Sequence, residues 1–383
     1  MKRRVVIAGS LVLTLMGCST QSNTGTSTTG TNSTGGGKIY IGVAGPISGS
    51  QAVFGEDMVR SAKLAVDEIN AQGGILGKQV EVIPGDDQAQ PREASIVAQK
   101  MVSTDGLVGV VGHFNSGCSI PASQVYNRAN LLMISPGSTN PLLTKQGFTN
   151  VFRVVGTDNQ QGPIGANFAL KVLKSKTFAI LHNKTAYGQG LAESFRKTVE
   201  AGGAKVMIFE GINEGDRDFR GVLTKIKGLN PDALFFGGVF TEAGLIVNQA
   251  REIGFTGNFQ SGDGTEVQDF INTVGNRSDK IYVSGVRVLD SSKFLGAYKA
   301  KYNDSPTAFG TYTYDATRLL LEAVKLAGST DRAAIVKAVR EVKDFKGLGG
   351  VLTFDANGDP ANAPFDVFVI QDKKFVPYKQ PTA

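Results

Sequence analysis

Lys38-Ile39-Tyr40-Ile41-Gly42-Val43-Ala44-Gly45 opens a stretch that runs on to Val80-Glu81-Val82-Ile83, and its reading decides the fold. Residues 39–43 form a short apolar run that ends in a Gly/Ser/Pro loop, the pattern of a buried strand. From about Asp57 to Asn70, the residues Met58, Ala62, Ala65, Val66 and Ile69 recur on one helical face. Gly73-Gly74 stops that helix, and residues 80–83 are the next strand. Further along, a helix around 92–103 leads to Leu107-Val108-Gly109-Val110-Val111, and another to Leu131-Leu132-Met133-Ile134. The alternation then restarts. Strand-like runs fall at 177–181, 206–209, 233–236 and 281–283, with helical stretches between them, notably 190–201 and 241–253. Near-continuous apolar strands alternating with helices predict parallel sheets covered on both faces. Two such series predict an α/β protein of two doubly wound lobes.

Composition narrows the function. A chain of 383 residues, 41% hydrophobic, has the length of two or three domains and enough apolar residues for a substantial core. The formal charge of +6 falls to +3 when Lys2, Arg3 and Arg4 are set aside, leaving 37 basic residues of 40 against 34 acidic ones. The body carries no dense Lys/Arg run, which argues against a nucleic-acid partner. Two histidines, His113 and His182, and two cysteines, Cys18 and Cys118, leave little for a metal site, and no cofactor is expected.

Met1-Lys2-Arg3-Arg4 is a basic head before a short apolar run, 5–16, too short to span a bilayer as a permanent helix. Residues 1–17 therefore read as a signal peptide. Leu15-Met16-Gly17-Cys18 resembles a bacterial lipobox, which makes Cys18 the expected lipidation site. Residues 19–37 contain only Ser, Thr, Gln, Asn and Gly, so 18–37 is expected to be a lipidated cysteine and a flexible tether. Its root-mean-square reach is roughly 25 Å. The body is expected outside the cytoplasm, in the periplasm or on the outer face of the cell membrane. No disulfide is expected, and Cys118 reads as a small buried residue.

In folds of this class ligands sit beyond the carboxyl ends of the strands. The loops there, 45–55, 112–119, 135–140, 183–190, 237–242 and 261–264, are rich in Gly, Ser, Thr and Asn. Catalytic signatures are missing from them. No serine has glycine two residues before and two after it, and Gly73 to Lys78 lacks the spacing and the Ser/Thr of a phosphate loop. His113 and His182 read as structural, and Asp86-Asp87 as solvated or helix-capping carboxylates. The chain does not read as an enzyme.

Along almost the whole body the sequence resembles the periplasmic leucine/isoleucine/valine-binding proteins, the solute receptors of branched-chain amino-acid ABC importers. The resemblance is carried by Ile41 to Gly49, Phe54-Gly55, Asn70 to Gly77, Arg153, Asp158, Gln161-Gly162-Pro163, Tyr187 to Gly190, Gly237-Gly238, Glu242, Ala308-Phe309 and Leu352 to Asp355. Its most specific block is Val111-Gly112-His113, Ser116, Pro121-Ala122-Ser123, Leu132 to Pro136 and Thr139. The resemblance implies the type I periplasmic-binding-protein fold, two lobes joined by a three-segment hinge. Lobe one would be 38–156 plus 286–363, and lobe two 157–285 plus 364–383.

The resemblance also implies a site. Ser116 and Thr139 fall where the family holds an α-carboxylate through hydroxyls and backbone N–H groups. Gly137 and Thr139 fall at acceptors for the α-ammonium, and Asp263 at its salt-bridging acid. Phe54, Phe114, Tyr187 and Phe309 fall at side-chain contacts. Burying a zwitterion requires a partner for each charge, and these residue types supply them. Three positions depart from the family. Val239 stands at a common tyrosine, Asn115 (with Ala89) at a possible cysteine pair, and Ser138 at a small apolar residue. The expected function is a receptor that captures a neutral, aliphatic L-amino acid and delivers it to an ABC permease while tethered to the membrane. A broader neutral amino-acid set, amide- or urea-type solutes, and a sensory ligand-binding role are the alternatives.

Overall fold

The computed structural model describes residues 37–289, 291–362 and 365–379. The expected signal peptide, Cys18 and nearly all of the tether lie outside the described residues, as does Pro364 at an expected lobe crossing.

The first series of elements is β1 (Ile39–Gly45), α1 (Ala52–Ala71), β2 (Val80–Asp86), α2 (Pro91–Val102), β3 (Leu107–Gly112), α3 (Ser116–Arg128), β4 (Leu132–Ser135) and β5 (Val151–Arg153). Its strands form one sheet in the order β2-β1-β3-β4-β5, parallel throughout. Every residue of β3 and β4 is buried, because helices cover both faces.

The second series is α4 (Asp158–Lys171), β6 (Thr177–His182), α5 (Ala186–Ala201), β7 (Lys205–Gly211), α6 (Arg220–Leu229), β8 (Ala233–Gly237), α7 (Phe240–Glu252), β9 (Asn258–Ser261), α8 (Gln268–Val274) and β10 (Ile281–Val286). The chain then returns to the first sheet with α9 (Ser292–Tyr302), α10 (Ala308–Ala327), α11 (Arg332–Glu341) and the small ladder of β11 (Phe345–Gly347) with β12 (Gly350–Leu352). It ends on β13 (Phe365–Gln371) and β14 (Lys374–Pro377), which complete a second sheet ordered β14-β13-β10-β9-β8-β6-β7. The chain thus passes between the sheets three times.

The alternation read from the sequence is borne out, with the short strands β5, β9, β11 and β12 and a C-terminal hairpin added to it. β13 runs antiparallel to β10, and β14 antiparallel to β13. Asp372 and Lys373 join them, both at positive φ (49° and 59°), which is the two-residue turn that matches strand twist. An Asp-Lys pair carries a weaker hairpin signal than Asn-Gly, so the edge was not legible.

Two helices start earlier than their apolar period indicates. α1 begins at Ala52 rather than near Asp57, with Gly55 inside it. Gly55 is there for contact: a Cβ on it would stand 2.2 Å from the Pro46 carbonyl oxygen. Likewise α5 begins at Ala186, so Tyr187 lies in its first turn. Helix α10 has residues such as Tyr312, Ala316, Leu319, Leu320 and Ala323 buried on several faces, which blurs the amphipathic pattern. It packs against α1 and β3. Leu320 lies over Gly109, where a Cβ would meet its side chain at 2.8 Å.

Candidate functional site

In each sheet the strand order reverses at one point, beside β1 in the first and beside β6 in the second. A doubly wound sheet opens a crevice there, at its carboxyl edge. Loops leaving β3, β4, β8 and β9 converge with the first turns of α5 and α10 on a narrow chamber. Phe114, Asn115, Ser116, Gly137, Tyr187, Val239, Asp263, Gly264 and Phe309 line it. A larger, solvent-open space adjoins it, sharing Asn115, Ser116, Tyr187 and Val239 and walled by Asn183, Lys184, Asn213 and Glu214.

One wall is aromatic. Phe114 and Phe309 meet edge to face with centroids 4.9 Å apart. Gly137 allows this, since a Cβ there would fall 2.5 Å from the Phe114 ring. Phe54 is not on the wall. It is fully buried behind it, stacked on Phe114 at 4.4 Å and edge-on to Phe309 and Phe240.

The opposite side is polar. Asp263, 1% exposed, sits in a short 3-10 turn after β9. Its Oδ1 accepts from the Tyr187 hydroxyl at 2.6 Å and from the Gly264 N–H at 3.1 Å. Its Oδ2 is buried and makes no hydrogen bond of full geometry, with the Gln161 amide, which donates to the Ser284 carbonyl, the further polar group beside the carboxyl. Burial pushes the Asp263 carboxyl up to about 6, against the downward pull of the Tyr187 hydrogen bond. A buried acid with one oxygen not fully hydrogen-bonded is an acceptor for a cation.

Thr139 and Ser138 lie just behind the lining and are fully buried. The Thr139 hydroxyl faces the neighbouring Asp158 carboxyl, close enough to pull its pKa down, without completing a hydrogen bond of full geometry. Ser138 donates to the Phe114 carbonyl at 2.8 Å and shares a 2.6 Å hydrogen bond with Ser119, so its hydroxyl is spent on the wall. Ser116 opens α3 and accepts from the Asn140 N–H at 3.2 Å. Asn115 is the N-cap residue of α3, yet its side chain does not cap. The helix start therefore keeps donors for an anion.

Residues of unassigned role hold this loop. Arg153, fully buried, donates to Asp359 at 2.6 Å, to the Ser138 carbonyl at 2.5 Å and to the Asn140 carbonyl at 2.9 Å. It thereby fixes both sides of Thr139. The Asn140 side chain donates to the Ala186 carbonyl at 2.6 Å, joining a first-sheet loop to α5 of the other lobe. His113 is structural, as expected, but Asp87 is neither solvated nor capping. Asp87 is buried and pairs with His113 Nδ1 at 2.6 Å, while His113 Nε2 meets the Tyr126 hydroxyl at 3.0 Å. The His113 carbonyl accepts from Ser119 and Ser135, anchoring the Phe114 loop. Asp86 instead receives the Ile47 and Ser48 N–H groups. Cys118 is a free thiol, and burial pushes its pKa up, away from nucleophilic use.

Two doubly wound lobes closing on a chamber with a cation acceptor, helix-start donors and an apolar wall make a two-lobed solute receptor. The sequence profile of the periplasmic binding protein family matches residues 38–374, and the chain belongs to that family. The family consists of transporter substrate receptors, not of enzymes, and its members work outside the cytoplasm. The chain is 36% identical over 326 residues to Leu/Ile/Val-binding protein homolog 1 of Brucella abortus, covering 84% of this chain and 87% of that protein. It is 35% identical to a leucine-, isoleucine-, valine-, threonine- and alanine-binding protein of Pseudomonas aeruginosa, covering 86% of this chain and 89% of that one. Among solved structures, the branched-chain substrate-binding protein LivJ of Streptococcus pneumoniae, in complex with isoleucine, has a TM-score of 0.82 at 34% identity and covers 88% of this chain and 98% of its own. The leucine-binding protein LivK of Thermotoga maritima has a TM-score of 0.83 at 29% identity, covering 89% and 98%.

Proposed function

We propose that this chain is the extracytoplasmic receptor of an ABC importer for neutral, chiefly aliphatic, L-amino acids, which it hands to the permease. The observation that carries the reading is the buried Asp263 Oδ2, without a full hydrogen bond, in a chamber whose apolar side is Phe114, Phe309 and Val239. That pairing suits an ammonium on an apolar body. The start of α3 at Ser116, with Gly117 beside the outer space, suits the carboxylate, and Thr139 with the Gly137 backbone suits the ammonium's remaining protons. Charge-assisted hydrogen bonds contribute about 1.5–3 kcal/mol each, so a few are compatible with micromolar affinity or better.

Calorimetric titration of ligand-stripped protein with the twenty L-amino acids tests this. Tight binding of leucine, isoleucine and valine is expected. Silence to every amino acid, with binding of amides or urea, would overturn it. A broader neutral set is the second reading, favoured by Val239, whose side chain offers no hydroxyl and borders the outer space. We further propose that Cys18 carries a lipid anchor. Cys18→Ala should move the protein from the membrane to the soluble fraction, and an unchanged membrane fraction would remove the anchor.

A further inference from the structure

A chain of three side chains runs from the far lobe to the chamber wall. Glu214, in the loop after β7, accepts from Gln51 Nε2 at 3.3 Å. Gln51 is 3% exposed and stands at the N-cap of α1, in the other lobe. Its Oε1 in turn accepts from Asn115 Nδ2 at 2.8 Å. With Glu214 ionised, against the upward push of burial and Glu242 on its pKa, the order of donors is set. A carboxylate offers only acceptors, so the Gln51 amide turns its nitrogen to Glu214 and its oxygen to Asn115. Asn115 must then present its own nitrogen to Gln51. Its Oδ1 is left over, buried and without a protein partner, on a side chain that lines both the chamber and the outer space. An asparagine at an N-cap ordinarily spends that oxygen on the helix N–H groups, and here it does not.

Asp263 lines the inner chamber but not the outer space, whereas Asn115 borders both. With the ammonium on Asp263, the Asn115 oxygen is left for another part of the ligand. A carbonyl oxygen repels a carboxylate and accepts from a hydroxyl or an amide. We propose that Asn115 reads the ligand's side chain, accepting a hydrogen bond from a hydroxyl or amide on it, with Gln51 and Glu214 fixing the direction of that oxygen. This rests on the amino-acid reading above and deepens it: among neutral ligands of equal shape the site favours the one with a side-chain donor, threonine over valine. Because Glu214 belongs to the second lobe, the acceptor is set only when the lobes meet.

Threonine and valine have nearly the same shape and differ in this donor, so their affinity ratio isolates it. Calorimetry on the stripped protein should give a threonine-to-valine ratio that falls about tenfold in Asn115→Leu, the loss of one buried hydrogen bond. Asn115→Ala should act alike and serves if the leucine variant does not fold. Gln51→Leu should lower the ratio as well, by freeing the Asn115 amide to turn over. A ratio unchanged in the Asn115 variants would overturn the proposal, as would equal losses for both ligands, which would assign the oxygen to the ammonium. Wild-type protein silent to both would instead overturn the amino-acid reading, and this inference with it.

Discussion

Asp263 concentrates the electrostatics of the chamber in one oxygen. Removing it leaves a bound ammonium buried without its counter-charge, so Asp263→Ala should weaken amino-acid binding at least a hundredfold, by the usual cost of orphaning one member of a buried charged pair. Retained affinity in calorimetry would take Asp263 out of the site. Its titration adds a second test. With the carboxyl pushed up to about 6 by burial, the empty site is ionised above that pH and protonated below it. An ammonium needs the ionised form, so binding below pH 6 must expel a proton. Affinity should then fall as pH drops through 6, approaching tenfold per unit, with proton release visible as a buffer-dependent heat. A flat profile from pH 5 to 7.5 would show that the Asp263 carboxyl is not held near 6 in the empty receptor.

At the scale of elements, α1 and α4 carry the clearest tests. Gly55→Ala improves helix propensity by about 1 kcal/mol, yet its Cβ would collide with the backbone at Pro46. The collision should win, lowering stability by about 1–3 kcal/mol in denaturant melts. The displaced loop also carries Gln51, so ligand affinity should fall with it. Asp158 is the first residue of α4, 1% exposed, with the Thr139 hydroxyl beside its carboxyl. Burial pushes it up to about 8 from an ordinary value of 3.8, opposed by the Thr139 hydroxyl. The folded state therefore holds this proton more tightly than the unfolded chain. Stability from Asp158 is fully present below about pH 4 and is lost as pH rises through about 8. Asp158→Asn should accordingly gain melting temperature over wild type progressively between pH 4 and 8. A constant difference across that range would contradict the raised pKa.

For the whole molecule, the three passages of chain between sheets lie close together. Gln161 of α4 donates to the Ser284 carbonyl of β10 at 2.6 Å, and the Val286 N–H donates to buried Glu266 at 2.9 Å. Arg287, just past β10, grips Asp366 of β13. We propose crossings near 156–157, 285–286 and 364–365, with the lobes rotating about them. The inter-lobe contacts Asn140–Ala186 and Gln51–Glu214 then form on closing. Saturating ligand should lower the radius of gyration in small-angle scattering, and a radius insensitive to ligand would contradict the hinge. At a hundred times Kd, ligand should also stabilise the fold by about 2.7 kcal/mol.

Part of this architecture is legible in the sequence alone. Period and composition at 39–43, 107–111 and 233–236 place apolar strands between helices, because a strand buried on both faces needs apolar residues at nearly every position. The same pattern places Phe114, Ser116, Gly137 and Val239 at strand ends, where a doubly wound fold keeps its ligands, whereas Asp263 follows a strand that the pattern does not show and is reached only through the family resemblance. Contacts between segments distant in sequence left no such trace. Phe54 stands on the same motif as its neighbours, and only packing puts it behind Phe114 rather than on the wall. The pairing of Asp87 with His113, the grip of Arg153 on the Thr139 loop and the Glu214–Gln51–Asn115 chain each join residues far apart in the chain. Periodicity is a local property, set by which face of one element meets water. A hydrogen bond's partner, and so the direction of an amide or the freedom of one carboxylate oxygen, is decided when separate elements close on one another.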